Sequence, residues 1–222
     1  MQPFYDRHEA GRLLAHQLVA FAHREDTIVL ALPRGGVPVA WEIATSLGLP
    51  LDVFVVRKIG APQHEELALG AIASGGVVWL DPEMVRMSGA TQAQVEETIG
   101  RERAELDRRE REYRDKRPEP ELKGQTVILV DDGLATGSTM LAAVQAVRQR
   151  HPRHIVVAVP VGSREAVARL HQERVECHFL VTPEMLFSVG AWYHDFTPPT
   201  DDEVKKLLGH AANGRVPDTV TR

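Results

Sequence analysis

The stretch that decides the fold spans residues 127–140 and reads Val127-Ile128-Leu129-Val130-Asp131-Asp132-Gly133-Leu134-Ala135-Thr136-Gly137-Ser138-Thr139-Met140. Its first four residues are apolar and predict a buried strand, which ends at two adjacent carboxylates. A loop of small residues follows and leads into a predicted helix over residues 138–150. Because ligands of open α/β sheets bind at the carboxyl ends of the strands, this stretch predicts a ligand site.

The loop and the carboxylates suit two different parts of one ligand. The backbone amides and hydroxyls of the loop can surround a phosphate, and the following helix directs its positive dipole end at the same anion. The predicted phosphate-binding residues are Ala135, Thr136, Gly137, Ser138 and Thr139. Asp131 and Asp132 would repel a phosphate, but two adjacent acceptors match the vicinal hydroxyls of a ribose. A phosphate beside a ribose indicates a phosphoribosyl group.

Other loops built from small residues differ at deciding positions. A Walker A loop requires Lys where Ser138 stands, and a nucleophile elbow requires glycines where Thr136 and Met140 stand. A purely structural turn between strand and helix would account for the small residues, but not for two carboxylates at the end of a buried strand.

The stretch resembles the signature of the type I phosphoribosyltransferases, most nearly that of the adenine and orotate enzymes. On this resemblance Asp131 and Asp132 bind the ribose hydroxyls of 5-phosphoribosyl-1-pyrophosphate (PRPP), and residues 135–139 bind its 5′-phosphate. Leu32-Pro33-Arg34-Gly35-Gly36-Val37-Pro38 lies where the family has its pyrophosphate loop, and Val56-Arg57-Lys58-Ile59-Gly60 resembles a segment of the adenine enzymes. Arg34 can pair with pyrophosphate through two hydrogen bonds, while Gly35 and Gly36 let the backbone approach it. The resemblance covers residues 27–161.

The resemblance implies an Mg²⁺-dependent enzyme that transfers the phosphoribosyl group of PRPP to a small-molecule nitrogenous base and releases pyrophosphate. Arg34, Lys58, Asp131 and Asp132 are then the catalytic residues, and the two aspartates contact Mg²⁺ only through PRPP or water. It also implies a homodimer, and a non-proline cis peptide bond between Arg34 and Gly35 or adjacent to that bond. The alternative is a regulatory protein that senses PRPP or a nucleotide without catalysis.

Two features depart from the family pattern. Ala135 stands where the hypoxanthine-guanine enzymes have an Asp that handles a purine proton, which argues against a 6-oxopurine acceptor. A long charged helix, predicted from Thr91 to Arg117, has no family role that we can assign. Its charges alternate in sign, which favours a solvent-exposed helix over a nucleic-acid contact.

The whole chain alternates β-rich runs with helical patterns, which predicts an α/β fold with a mainly parallel sheet flanked by helices. We expect one phosphoribosyltransferase-like domain over residues 1–222. Its parts are a core at about 27–161, a charged helical insertion at about 82–117 and a hood-like C-terminal segment at about 182–212. The predicted strands are 27–32, 51–57, two between 67 and 80 that break at 74–76, 125–130, 154–161 and 175–181. The remaining predicted helices are one capped by Asp6 and ending near His23, 36–47, 164–172 and one that begins with a capping-box spacing at 200–203.

Two segments each allow two interpretations. Residues 59–69 are expected to form a flexible loop that closes over the substrates, in which His64 is either an acid or a solvent-exposed side chain. The aromatic residues between Met185 and Phe196 either stack on the base or anchor the terminal segment to the core.

Composition narrows the class of protein. The chain is 43% hydrophobic and 26% charged, as ordinary globular proteins are. Its formal net charge of −5 argues against a nucleic-acid coat, and no run approaches the roughly 20 apolar residues of a membrane span. The single cysteine, Cys177, excludes an internal disulfide and is interpreted as a buried thiol rather than a nucleophile. We therefore expect a cytoplasmic protein without nucleic-acid or membrane partners.

Overall fold

The computed structural model describes residues 3–62, 64–114 and 117–212. A five-stranded parallel sheet forms its centre, and a three-stranded antiparallel sheet lies beside it. The strands are β1 (Thr27–Ala31), β2 (Leu51–Val53), β3 (Val56–Ala61), β4 (His64–Ala73), β5 (Val77–Leu80), β6 (Thr126–Val130), β7 (His154–Val161) and β8 (Glu176–Val181). The α-helices are α1 (Arg7–Gln17), α2 (Gly36–Leu47), α3 (Pro82–Ser88), α4 (Gln92–Arg114), α5 (Ser138–Arg148), α6 (Arg164–Gln172) and α7 (Asp201–Ala212).

The order of the parallel strands, β2-β1-β6-β7-β8, determines where a ligand can bind. β1 and β6 are neighbours, and their last residues, Ala31 and Val130, lie opposite each other. The loops that follow these two strands therefore leave the sheet side by side, at its carboxyl edge.

Helices on both faces bury the two central strands completely. Val29 and Ile128 pack on one face with side chains of α1 and α2, whereas Leu30 and Leu129 pack on the other face with α5. Every residue of β1 and β6 is buried, which explains why these strands read as continuous apolar runs rather than as an alternation.

The structure confirms the expected α/β fold, and several elements have the predicted bounds, including α2, α6 and β7. The predicted caps are also present. The Asp6 carboxylate accepts a hydrogen bond from the Glu9 amide at 2.7 Å. Thr200 and Glu203 cap each other: the Thr200 amide donates to Glu203, and the Glu203 amide donates to Thr200 Oγ1.

The prediction of one strand over residues 51–57 is wrong. β2 ends at Val53, and Phe54 then donates its amide to Ala31 in the first sheet at 2.8 Å. The next residue, Val55, donates instead to the hydroxyl of Ser74 at 2.9 Å. The chain thus passes from the first sheet to the second within two residues, because its hydrogen-bond partners change.

The prediction of a loop over residues 59–69 is also wrong, since most of this segment belongs to the antiparallel pair β3 and β4. The register shifts beside Gly60, as in a β-bulge, so the pairing is irregular near the turn. The first helix likewise ends at Gln17 rather than near His23, and a 3₁₀ turn at Val19–Phe21 follows it.

The charged insertion consists of α3 and α4. α4 carries ion pairs one turn apart, such as Arg108–Glu112 and Arg109–Glu105, on a surface that faces solvent. Its other side buries Leu106 and Tyr113 in the core. Among the residues that the structure describes, no helix has the length and apolar character to cross a membrane.

Candidate active site

The two adjacent carboxylates lie at the carboxyl end of β6, in contact with the loop that follows β1. A Cβ atom on Gly35 would lie 2.0 Å from Asp132 Oδ2, and one on Gly36 would lie 2.6 Å from the Val130 carbonyl oxygen. Neither position has room for a side chain. The glycines therefore allow the glycine loop, which we define as residues 33–36, to pack directly on the Asp132 carboxylate and on the backbone at the end of β6.

The phosphate loop, residues 135–139, lies between β6 and α5. Gly137 precedes the first turn of α5 with a φ of +71°, a conformation that glycine adopts readily. The loop is held from α6: the Ser163 hydroxyl donates to the Ala135 carbonyl at 2.6 Å, and Arg169 donates to the Thr136 carbonyl at 3.0 Å. Sequence reasoning did not identify these two supports.

Burial makes the carboxylate pair electrostatically unusual. Desolvation, followed by the charge of Asp132, raises the pKa of Asp131 well above its ordinary value. Desolvation also raises the pKa of Asp132, while the nearby Arg7 guanidinium opposes that rise. Because each carboxylate affects the other, the two titrate as a pair.

Arg7, at the start of α1, is a site residue that the sequence did not reveal. Its Nε donates to Asp132 Oδ2 at 2.8 Å, and its Nη1 donates to the Thr197 carbonyl at 2.9 Å. The guanidinium carbon lies 3.9 Å from the centre of the Phe196 ring. The N-terminal helix and the C-terminal segment therefore meet at the carboxylate pair.

Arg34 belongs to the glycine loop, and the peptide bond between Pro33 and Arg34 is cis. This bond is adjacent to Arg34–Gly35, which confirms the second of the two positions given in the prediction. The Arg34 Nη1 lies 3.8 Å from Asp201 Oδ1 at the start of α7, and the Tyr113 hydroxyl donates to the same oxygen at 2.7 Å. Burial, with the Asp201 contact, raises the pKa of Tyr113 to about 12.

Lys58 lies on β3, in the three-stranded sheet. It lines a cavity of about 530 Å³ between the three-stranded sheet and helices α5 and α6, together with Trp79, Ser138 and Arg169. The residues that line this cavity do not include Arg34, Gly35 or either aspartate. Lys58 thus lines the same cavity as Ser138, the fourth residue of the phosphate loop.

The aromatic residues of the C-terminal segment differ in how much they are buried. Tyr193 is buried, stacks on Phe196 with ring centres 5.0 Å apart, and donates its hydroxyl to the Asp132 carbonyl at 2.6 Å. These two residues anchor the segment to the core beside the site. Phe187, in contrast, is 88% exposed.

Two other candidates from the sequence lie away from this centre. Cys177 is only partly buried, not buried as expected, but desolvation raises the pKa of its thiol to about 11, which agrees with the interpretation of an unreactive thiol. His64 is exposed at the start of β4.

A comparison of the sequence with protein-family models identifies the family. The model described as the phosphoribosyl transferase domain matches residues 5–185. The chain belongs to the phosphoribosyl transferase domain family. This match confirms the family that the sequence predicted. Phosphoribosyl transferases of this family bind PRPP.

Relatives of known sequence or structure agree with this assignment. Two curated relatives from Mycobacterium tuberculosis, strains CDC 1551 and H37Rv, carry names that provisionally assign them as phosphoribosyl transferases. Each is 43% identical over 211 residues, which cover 95% of this chain and 47% of the relative. The chain thus spans about half the length of the curated relatives it matches. The crystal structure of TT1426 from Thermus thermophilus is 48% identical, with a TM-score of 0.84, and the match covers 94% of this chain and 98% of that one.

Proposed function

We propose that this phosphoribosyl transferase domain transfers the phosphoribosyl group of PRPP to a nitrogenous base. In this reaction a base nitrogen forms a bond to the anomeric carbon, and the bond between that carbon and pyrophosphate breaks. The observation that carries the proposal is the contact between Gly35 and the Asp132 carboxylate. This contact brings the loop assigned to the pyrophosphate next to the aspartate pair assigned to the ribose. PRPP requires such an arrangement, because its pyrophosphate is attached directly to a carbon of the ribose.

Each part of the site has a role in this proposal. Asp131 and Asp132 accept hydrogen bonds from the ribose hydroxyls, and the phosphate loop donates its amides to the 5′-phosphate. The backbone of Gly35 and Gly36 approaches the pyrophosphate. Arg34 and Lys58 stabilise the negative charge that develops on the leaving group. Most of the rate enhancement comes from positioning and charge stabilisation, so the mechanism requires no nucleophilic side chain.

The donor set fits an Mg²⁺ ion that reaches the site with the substrate. Within residues 3–62, 64–114 and 117–212, no group of three or more His, Cys, Asp or Glu side chains could hold a metal. Mg²⁺ commonly binds one or two carboxylates and the phosphates of a substrate while it keeps several waters. Asp131 and Asp132 supply carboxylates of that kind and would hold the ion through PRPP or water. The ion would neutralise charge on the departing pyrophosphate.

The test is the release of pyrophosphate from PRPP in the presence of a panel of purine, pyrimidine and pyridine bases. We expect release that depends on one class of base and stops when EDTA removes Mg²⁺. The same protein should sediment as a homodimer. PRPP that binds but is not consumed with any base would contradict catalysis.

One observation favours a second function, a PRPP-sensing regulatory protein without catalysis. Asp201 lies beside Arg34 and can compete for its charge, so the contacts available to a leaving group are less complete than those for ribose and 5′-phosphate. A sensor requires only the latter. Equal affinity for PRPP in the wild-type protein and in Arg34→Gln, without pyrophosphate release in either, would favour the sensor.

A further inference from the structure

Arg7 is buried at the centre of the carboxylate site although it lies outside the sequence signature. Its side chain is only 8% exposed, and its Nε donates to Asp132 Oδ2 at 2.8 Å. Arginine is rarely buried unless its charge is paired, so this placement reflects a specific partnership. The partner is a residue that the proposed function assigns to the ribose.

The hydrogen bonds divide the four carboxylate oxygens into two sets. Asp131 Oδ1 accepts a hydrogen bond from the Asp132 amide at 2.8 Å, and Asp132 Oδ2 accepts one from Arg7 Nε. Each carboxylate is therefore anchored through one oxygen. The remaining oxygens, Asp131 Oδ2 and Asp132 Oδ1, accept neither of these two hydrogen bonds. Two adjacent carboxylates can offer one acceptor to each hydroxyl of a vicinal diol.

We propose that Arg7 is a positioning residue for the ribose, because it anchors Asp132 through Oδ2 and thereby directs Oδ1 to the ligand. This inference rests on the proposed function, since it assumes that a ribose binds at the carboxylate pair. Arg7 itself touches no part of the substrate in this arrangement. Its contribution passes through Asp132.

A guanidinium suits this position better than an ammonium group would. Arg7 bridges Asp132 and the Thr197 carbonyl through two different nitrogens, and its guanidinium carbon lies over the Phe196 ring. These contacts hold the guanidinium in one orientation, and a planar fork loses less freedom for each hydrogen bond than a flexible amine does. Lysine could supply the charge, but not both directed hydrogen bonds and the ring contact.

Helix α1 also provides a matched control. Arg12 lies farther along the same helix and pairs with Glu42 at 3.0 Å, and its side chain is 55% exposed. It makes no hydrogen bond to Asp131 or Asp132. Arg12→Gln therefore removes the same charge from the same helix without disturbing the anchor.

The experiment compares two probes that differ only in the sugar. Ribose 5-phosphate and inorganic phosphate are titrated, with ³¹P NMR, into the wild-type protein, Arg7→Gln, Arg7→Lys and Arg12→Gln. We expect Arg7→Gln to lose about tenfold or more in affinity for ribose 5-phosphate, the effect of a misplaced hydrogen bond to a charged group. Its affinity for inorganic phosphate should stay within about twofold, and Arg12→Gln should change neither. Arg7→Lys should lie between wild type and Arg7→Gln.

The outcomes separate this inference from the proposed function. Affinities for both probes that stay at the wild-type value in Arg7→Gln and in Arg7→Lys overturn the positioning role while leaving the ribose site intact. Equal losses for both probes would show a general structural role and also overturn it. If Arg7→Gln does not fold, the ratio in Arg7→Lys decides. A wild-type protein that does not distinguish the sugar from inorganic phosphate overturns the proposed function together with the inference.

Discussion

The glycine loop and the phosphate loop follow adjacent parallel strands and lead into helices, yet they use glycine for different reasons. Gly35 has an ordinary helical φ of −59° but no space, because Asp132 lies where its side chain would be. Gly137 has more space but needs a φ of +71°, with Ala166 Cβ 3.0 Å from its would-be Cβ. The first glycine is required by packing on the carboxylates, and the second mainly by backbone conformation. Mutations can separate the two requirements.

The largest effect is expected for Gly35→Ala. The new methyl group would displace the Asp132 carboxylate and break its ion pair with Arg7. Separation of a buried ion pair costs about 3–5 kcal/mol, and we expect the free energy of unfolding in urea to fall by about that amount.

Gly100→Ala is the matched control for that change. Gly100 lies within α4, and a Cβ there would meet no atom within 4 Å. Alanine favours helix over glycine, so a gain of about 0.5–1 kcal/mol is expected. If Gly35→Ala is as well tolerated as Gly100→Ala, the glycine loop does not pack on Asp132 as described.

Gly137→Val should have a smaller effect on stability and a large one on binding. A left-handed conformation costs a residue with a side chain about 1–2 kcal/mol, and the contact with Ala166 adds to this. A branched side chain would also crowd the phosphate-loop amides. We expect a loss of about 2 kcal/mol in urea unfolding, and no measurable binding of ribose 5-phosphate by ³¹P NMR.

Gly124→Val separates those two consequences. Gly124 has a similar φ of +73°, and a Cβ there would meet no atom within 4 Å. It should share the backbone cost of Gly137→Val but keep the affinity for ribose 5-phosphate. A Gly137→Val protein that binds the sugar phosphate normally would place the phosphate elsewhere.

The sequence predicted the two strand-loop-helix units well because their signals are local. An apolar run, small residues and a helical pattern each act over a few neighbouring positions, and α2 and β6 follow from them. The ending of β2 was not predictable in this way. It depends on the hydrogen bond from Val55 to Ser74, whose residues lie 19 positions apart.

The contacts that hold the site together were not predicted either, because they also join residues far apart in the sequence. Arg7 is 125 positions from Asp132 and 190 from Thr197, so no spacing in the sequence connects them. Arg34 was correctly placed on the glycine loop, but its proximity to Asp201 depends on how α7 packs. A residue's position along the chain indicated which loop it belongs to, but not which partner its side chain reaches.

A pH experiment tests the buried Asp131 carboxylate. Since burial raises the pKa of Asp131, the folded protein binds a proton more tightly than the unfolded chain does. This group's contribution to stability therefore declines as the pH rises from its ordinary value of 3.8 through the raised one. Asp131→Asn removes that decline, so the variant should gain stability relative to wild type as the pH increases, as measured by urea unfolding at several pH values. Asp26→Asn should show the opposite slope, because arginine contacts lower the pKa of Asp26.

The smallest effect is expected for Tyr193→Phe, which distinguishes the backbone of Asp132 from its side chain. The Tyr193 hydroxyl donates to the Asp132 carbonyl at 2.6 Å. Loss of one such hydrogen bond should lower the free energy of unfolding by about 1 kcal/mol. Because the Asp132 carboxylate keeps its bond to Arg7, the affinity for ribose 5-phosphate relative to inorganic phosphate should not change. Tyr5→Phe, at a side chain that is 66% exposed, should affect neither quantity. A selective loss of ribose 5-phosphate binding in Tyr193→Phe would show that the carbonyl bond, and not Arg7 alone, aligns the carboxylate.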